Sequence, residues 1–148
     1  MAERNRMRLE LLSLADNVGV ARIAVATFAA QLDYTLPEIE EIKVAVSEAV
    51  SNVVLHAYPD GPGTMAVLAR LTDEGIEIEV SDNGVGIQDV ELARQASFTT
   101  KPDRMGLGFV FMESFMDSLE VSSQVGHGTI VRMFKRCKTQ SAGAGTLK

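Results

Sequence analysis

The chain has 148 residues, 46% of them hydrophobic, which suits one globular domain with its own core. Its formal net charge of -6 argues against direct nucleic-acid binding, and no apolar run approaches the length of a membrane span. A single cysteine, Cys137, excludes a disulfide within the chain, so we expect a reducing, cytoplasmic setting. We expect residues 1–137 to form one domain and residues 138–148, which are mostly small and polar, to be a disordered tail.

The first half of the chain predicts one strand and two helices. Residues 7–14 begin with the alternation of side chains that is typical of a strand. Residues 18–32 should form a largely buried helix, capped at its start by Asp16 or Asn17. A second helix should cover residues 35–56, because a proline near its first turn and the glutamates that follow favour a helix start.

The second half predicts two pairs of strands, separated by a long loop and a helix. We expect a lid or binding loop over residues 83–105, with a short helix at residues 90–93, and then a helix at residues 107–115. The predicted strands cover residues 64–72, 76–82, 119–123 and 129–135. This order predicts an α+β two-layer sandwich, in which helices cover one face of a mixed β-sheet.

Glu48 and Asn52 lie four residues apart on the second predicted helix, so their side chains are neighbours at the edge of its apolar stripe. A carboxylate in that position can take a proton from a hydroxyl group. An amide oxygen beside it can complete the coordination shell of Mg²⁺. The pair alone also fits an ordinary solvated helix edge.

Asp82 has the same parity as Ile76, Ile78 and Val80, so its carboxylate should face the core at the end of the strand. A carboxylate facing a core needs a hydrogen-bond donor, and the amino group of adenine is a suitable one. Gly84 and Gly86 would then let the backbone approach a flat base. The same residues also fit a strand that ends in a glycine-rich turn.

The segment Gly106-Leu107-Gly108 opens the helix that follows the predicted lid. The unpaired N–H groups at a helix start bind anions, and Lys101 and Arg104 precede this start. A simple glycine hinge is the alternative for this segment. The three segments in this order nevertheless indicate an ATP-dependent phosphotransferase, although the sequence has neither a P-loop nor the motifs of eukaryotic-type kinases.

These segments resemble the motifs of the Bergerat-fold, or GHKL, ATPases, which include gyrase B, Hsp90, sensor histidine kinases and MutL. Residues 48–52 resemble the N box, residues 82–86 the first glycine box and residues 106–108 the second. Gly128-Thr129 resembles the Gly-Thr pair near the last strand of these proteins. That match implies that the hydroxyl of Thr129 supports Asp82, directly or through water.

Within that superfamily, the chain is most similar to the small anti-sigma factor serine kinases. Residues 46–58, 98–102 and 112–117 carry this resemblance, which extends over about residues 5–137. Leu32-Asp33, followed by the glutamate-rich helix start, resembles the sporulation branch, of the anti-sigma F type, more than the stress-response branch.

The resemblance implies two linked activities of a cytoplasmic homodimer that binds neither nucleic acid nor membrane directly. Such a protein binds a sporulation sigma factor, of the sigma F type, and blocks its use by RNA polymerase. It also uses ATP with Mg²⁺ to phosphorylate a serine of a small anti-anti-sigma factor, which inactivates that factor, and it binds ADP at the same site.

The resemblance also implies the roles of single residues. Glu48 would be the general base, Asn52 the ligand of Mg²⁺ and Asp82 the adenine acceptor. Arg22 matches an arginine with which the family grips both protein partners. The other nucleotide-binding residues would be Gly84, Gly86, Thr99, Thr100, Lys101, Arg104, Gly106, Leu107, Gly108 and Thr129.

The lid departs from the pattern of the sporulation kinases, because only residues 102–105 lie between Lys101 and Gly106. We expect a longer lid in that branch, so both the match of Arg104 and the discrimination between partners stay open. A nucleotide-gated sigma-binding module with little or no kinase activity is the main alternative. The catalytic half of a sensor histidine kinase is a third, but it needs a dimerisation helix pair, for which the residues before Met7 leave no room. Residues 7–14 are a candidate edge for dimer pairing.

Overall fold

A computed structural model describes residues 2–95 and 104–138 of the chain. Nearly all of the predicted tail at residues 138–148, and residues 96–103 of the predicted lid, lie outside the described residues. The elements in chain order are β1 (Glu3–Leu12), α1 (Asp16–Ala29), α2 (Leu36–Asn52), a π-helical turn (Val53–Ala57), β2 (Thr64–Thr72), β3 (Gly75–Asp82), α3 (Val90–Ala93), α4 (Arg104–Phe115), β4 (Ser118–Gln124) and β5 (Gly128–Arg136).

The α+β class is confirmed, but the expectation of a mixed sheet is wrong. The five strands lie in the order β1-β2-β3-β5-β4, and each neighbouring pair is antiparallel. Two helices carry the chain away from the end of β1 and back, so Leu12 pairs with Thr64 at the start of β2. The helices α3 and α4 lie between β3 and β4 in the chain, and these two strands run in the same direction. Strand β5 lies between them in the sheet and is antiparallel to both.

The two long helices of the first half begin in different ways. The predicted side-chain cap of α1 is wrong, because Ala15 occupies the cap position without a side-chain hydrogen bond. The Asn17 amide donates instead to the carbonyl of Leu12, at 2.8 Å, and so ties the helix start to the end of β1. At α2 the predicted start is confirmed, since Thr35 and Glu38 form a reciprocal capping box.

The end of α2 differs from the prediction of one helix as far as His56. The α-helix ends at Asn52, and a π-helical turn occupies Val53–Ala57. The wider winding of that turn brings the carbonyl of Ala57 to the loop after β3, where it accepts the N–H of Val85 at 2.9 Å. Regular helical spacing therefore stops where α2 meets this loop.

The helices cover one face of the sheet, as predicted. Ile76, Ile78 and Val80 of β3 are at most 1% exposed on that face, and they belong to the same core as Val50 and Phe109 of the helices. Charged pairs occupy the opposite face, among them Arg70 with Glu77 and Arg132 with Glu79. Within residues 2–95 and 104–138, we find no helix long and apolar enough to cross a membrane.

Candidate functional site

Helix α4 packs against the side of α2 that carries Glu48 and Asn52. A β-carbon built on Gly108 would lie 3.0 Å from Glu48 Oε1 and 3.6 Å from each polar atom of the Asn52 amide. The four-residue spacing on α2 sets both side chains on this side, and the absence of a side chain at Gly108 lets the helices approach. Two of the three predicted segments therefore meet.

Asn52 presents an unsatisfied polar atom at this contact. The residue is 9% exposed, and its amide Nδ2 has no hydrogen-bond partner within the part of the chain that the structure describes. A buried polar group left in this state costs about 1–3 kcal/mol, so such groups call for a functional explanation. A ligand that contacts the amide would provide one.

A cavity between the helices and the sheet connects Asn52 to Asp82. Its walls are mainly apolar, and they include Ala49 of α2, Val80 of β3, Phe109 of α4 and Val131 of β5. Apolar walls with a few polar groups are typical of small-molecule sites. The chemistry of these walls matches a flat, mainly apolar ring with one polar edge.

The Asp82 carboxylate lies on the core face of β3, as the alternation of the strand predicts, and lines the cavity. It accepts hydrogen bonds from the backbone N–H groups of Gly84, at 2.9 Å, and Thr129. Burial raises the pKa of Asp82 above its ordinary value, and these two hydrogen bonds lower the pKa in part. A hydrogen-bond donor on a ligand would stabilise the ionised form further.

Thr129 contacts Asp82 through its backbone, and its hydroxyl has a neighbour in the hairpin. The backbone N–H of Thr129 supports Asp82, whereas its hydroxyl lies 2.8 Å from the hydroxyl of Ser123. Ser123 also accepts the N–H of Ile87, at 2.7 Å, and so ties the end of the first glycine box to the hairpin of β4 and β5. Sequence periodicity gives no signal for this role of Ser123.

Contacts within the protein require glycine at positions 84 and 86. A β-carbon at Gly84 would lie 2.1 Å from the carbonyl oxygen of Ala57. Gly86 has a φ of +78°, and a β-carbon there would lie 2.4 Å from the carbonyl oxygen of Gln124. The first glycine box is thus packed between the π-helical turn and the hairpin of β4 and β5.

The second glycine box lies inside α4 rather than at its start. The helix begins at Arg104, so Gly106 and Gly108 fall within its first two turns, and Leu107 is 47% exposed. The remaining predicted lid residues Thr99, Thr100 and Lys101 lie outside the described residues.

Arg22, the predicted partner-binding residue, lies on α1 outside the cavity. Its Nη1 donates to the hydroxyl of Ser47, at 3.3 Å, and Ser47 precedes Glu48 in the chain. The exposed apolar residues Val20 and Ile23 flank it on the same helix. The structure therefore brings Arg22 close to the α2 segment of the site, with an apolar surface beside it.

Residues 11–135 match a family model described as the histidine kinase-like ATPase domain. The anti-sigma F factor of Caldanaerobacter subterraneus subsp. tengcongensis is 51% identical over 137 residues, which cover 91% of this chain and 96% of that protein. The anti-sigma F factor of Pasteuria penetrans is 50% identical, over 90% of this chain and 92% of its own. That of Clostridium acetobutylicum is 44% identical, over 89% of this chain and 94% of its own.

Two solved structures share the fold at lower identity. The RsbU and RsbW domains of a Mycobacterium tuberculosis protein align over 90% of this chain and 32% of that chain, with a TM-score of 0.63 and 18% identity. The histidine kinase domain of a blue-light activated histidine kinase from Erythrobacter litoralis aligns over 84% of this chain and 63% of that chain, with a TM-score of 0.56 and 18% identity.

Proposed function

The chain belongs to the anti-sigma F factor family and contains its histidine kinase-like ATPase domain, and from this premise we propose what it binds and which reaction it catalyses. It binds a sporulation sigma factor of the F type and prevents its use by RNA polymerase. It also acts as an ATP-dependent protein serine kinase, which phosphorylates and inactivates its anti-anti-sigma factor.

One observation carries the kinase proposal: an acid and a buried amide meet at Gly108, and the amide also lines an apolar cavity that contains a carboxylate. Glu48 and Asn52 supply the acid and the amide, and Asp82 supplies the carboxylate. These groups match the chemistry of Mg²⁺-ATP, which has a flat base with an amino donor and a charged, metal-bound triphosphate. Asp82 would accept the adenine amino group.

The residues of α2 would carry the transfer step. Glu48 accepts the hydroxyl proton of the substrate serine while the serine oxygen bonds to the γ-phosphorus of ATP. The bond from that phosphorus to its bridging oxygen breaks, and ADP leaves. Positioning and charge stabilisation, rather than a covalent enzyme intermediate, therefore supply the catalysis.

Binding of Mg²⁺ would require ligands from both Asn52 and the nucleotide. Within residues 2–95 and 104–138, no group of three or more His, Cys, Asp or Glu side chains could hold a metal ion. Asn52 would supply one oxygen ligand, and the phosphates of ATP would supply others. The ion would neutralise charge on the transferring phosphoryl group.

The remaining nucleotide-binding roles concern the two glycine boxes and the lid. Gly106, Leu107 and Gly108, in the first two turns of α4, would lie beside the phosphates. The lid residues Thr99, Thr100, Lys101 and Arg104 would close over them. Lysine and arginine in that set provide charge-assisted hydrogen bonds to phosphate.

Arg22 would form the centre of the partner surface, because it combines a cationic group with the exposed apolar residues Val20 and Ile23. The sigma factor and the anti-anti-sigma factor would both bind this surface, and the protein would be a cytoplasmic homodimer. The strand β1 occupies one edge of the sheet, so its outer edge offers a pairing surface for a second copy of the chain.

The test combines the purified chain with the sigma factor and the anti-anti-sigma factor of the same organism. With Mg²⁺ and ATP, we expect phosphoserine on the anti-anti-sigma factor and loss of sigma-dependent transcription. Tight ADP binding and sigma capture without phosphoserine would instead support the nucleotide-gated binding module. A chain that binds no nucleotide would overturn both proposals.

A further inference from the structure

We infer that Tyr58 is a positioning residue for recognition of the nucleotide base. Its hydroxyl fixes the turn that follows Asp82 and thereby the direction of the Asp82 carboxylate. This inference rests on the proposed function, because it assigns to Asp82 the role of acceptor for the base.

Three consecutive backbone N–H groups after Asp82 each have a partner within the protein. The N–H of Asn83 donates to the Tyr58 hydroxyl at 2.8 Å, and the N–H of Gly84 donates to Asp82 Oδ1 at 2.9 Å. The N–H of Val85 donates to the carbonyl of Ala57 at 2.9 Å. Of these three bonds, the one at Asn83 is the only one in which a side chain from another element holds the turn.

The position of the Tyr58 hydroxyl is itself fixed from two sides. It donates a hydrogen bond to the carbonyl of Thr64, at 2.6 Å, at the start of β2. The ring lies against Gly63, where an added β-carbon would come within 2.4 Å of a ring carbon. The hydroxyl therefore joins the end of the π-helical turn, the start of β2 and the end of β3.

This junction affects recognition of the base because it lies next to Asp82 in the chain. Asn83 is the next residue after Asp82, and it is an exposed residue. Without the Tyr58 hydroxyl, the peptide unit after Asp82 loses a hydrogen bond and can rotate. Rotation there moves the N–H of Gly84, which holds Asp82 Oδ1, and so frees the carboxylate to turn. The substitution should therefore weaken discrimination between bases.

Tyr34 provides a matched control, because it is the other of the two tyrosines and makes the same kind of junction. Its hydroxyl accepts the N–H of Ile76 at 2.9 Å and donates to the carbonyl of Lys135 at 2.5 Å. Ile76 and Asp82 lie at opposite ends of β3. Tyr34→Phe thus removes an equivalent hydroxyl far from the base.

The experiment measures dissociation constants of ADP and inosine diphosphate by calorimetry for the wild type, Tyr58→Phe and Tyr34→Phe. Inosine diphosphate carries a carbonyl where ADP carries the amino group that Asp82 would accept. We expect the wild type to prefer ADP, and Tyr58→Phe to reduce that preference about fivefold to tenfold. Tyr34→Phe should leave the preference unchanged.

Two further measurements separate positioning from a general loss of structure. Amide hydrogen exchange at Asn83 should accelerate in Tyr58→Phe and not in Tyr34→Phe. Gly63→Ala, which displaces the tyrosine ring without removing its hydroxyl, should reproduce the loss of preference if Tyr58→Phe folds poorly.

The outcomes are distinct. Equal weakening of both nucleotides by Tyr58→Phe, or an unchanged preference for ADP, would overturn the inference while leaving the proposed function intact. A wild type that binds both nucleotides equally would overturn the role of Asp82, and the inference with it. A wild type that binds neither would overturn the proposed function.

Discussion

The carboxylate of Glu48 lies against the backbone of Gly108, at a distance that leaves little room for even one methyl group. A β-carbon at Gly108 would be 3.0 Å from Glu48 Oε1, so Gly108→Ala should move that carboxylate by a few tenths of an ångström. Glutamate is flexible, so the fold should tolerate the change. A shifted base lowers the rate, and we expect phosphoryl transfer to fall about tenfold to a hundredfold. A transfer assay with the anti-anti-sigma factor measures this effect.

Gly19→Ala is the control for helix propensity in that experiment. Gly19 lies in α1, and a β-carbon there would make ordinary contact, at 3.4 Å, with Arg22 Nη2. Both substitutions should raise the free energy of unfolding by up to about 1 kcal/mol, since alanine favours a helix. An unchanged transfer rate in Gly108→Ala would argue against tight positioning of Glu48.

Glu48→Gln should separate binding from catalysis. The substitution keeps the size of the side chain but removes its ability to accept a proton. We expect ADP affinity and sigma binding to persist, and phosphorylation of the anti-anti-sigma factor to fall by about a hundredfold or more. Calorimetry and detection of phosphoserine measure the two effects. Phosphorylation at the rate of the wild type would exclude Glu48 as the general base.

Local sequence patterns were sufficient to predict those parts of the fold that depend on short-range periodicity. The strand at Thr64–Thr72 and the short helix at Val90–Ala93 were predicted with the bounds that the structure has. The alternation of β3 also predicted the inward direction of Asp82. Each of these features follows from residues within one element, so no tertiary contact was needed to infer it.

The features that could not be predicted depend on contacts between distant segments. The π-helical turn at Val53–Ala57 exists where α2 meets the loop of Gly84, and helical periodicity does not anticipate that meeting. The support of Asp82 by the backbone N–H of Thr129 depends on how β5 pairs with β3. The lack of a parallel pair between β3 and β4 likewise follows from the insertion of β5 between these two strands.

Gly126 and Gly128 allow a test of how closely the hairpin of β4 and β5 supports Asp82. Both have a positive φ, of +83° and +103°, so alanine at either position strains the backbone by about 1–2 kcal/mol. Nothing lies within 4 Å of a β-carbon at Gly126, but one at Gly128 would lie 2.0 Å from the carbonyl oxygen of Asp82. Gly128→Ala should therefore destabilise the fold by about a further 1–3 kcal/mol.

The two glycine variants should also differ in their affinity for nucleotide. We expect Gly128→Ala to weaken ADP binding because it displaces the end of β3, whereas Gly126→Ala should bind ADP like the wild type. Urea unfolding gives the stabilities, and calorimetry gives the affinities. Equal stability and equal ADP affinity in the two variants would show that the hairpin does not position Asp82.

The raised pKa of Asp82 gives nucleotide binding a defined pH dependence. Burial favours the protonated form, whereas the adenine amino group requires the ionised carboxylate as its acceptor. ADP binding must therefore release a proton at pH values below the raised pKa, so affinity should increase as pH rises and level off above it. The ligand-free protein should show the opposite trend. Because its folded state binds this proton more tightly than the unfolded chain, the contribution of Asp82 to stability falls as pH rises through the same range.

Asp82→Asn is the control for the other groups that titrate in this range. The terminal phosphate of ADP changes its charge near neutral pH, and it remains when this variant binds ADP. We expect the variant to bind ADP weakly, because an amide nitrogen facing the adenine amino group leaves a donor unmatched. It should also lose the rise in affinity that we expect calorimetry to show for the wild type over the pH interval just above the ordinary pKa of aspartate. If both proteins gain affinity equally over that interval, the titrating group is not Asp82, and the carboxylate does not recognise the base.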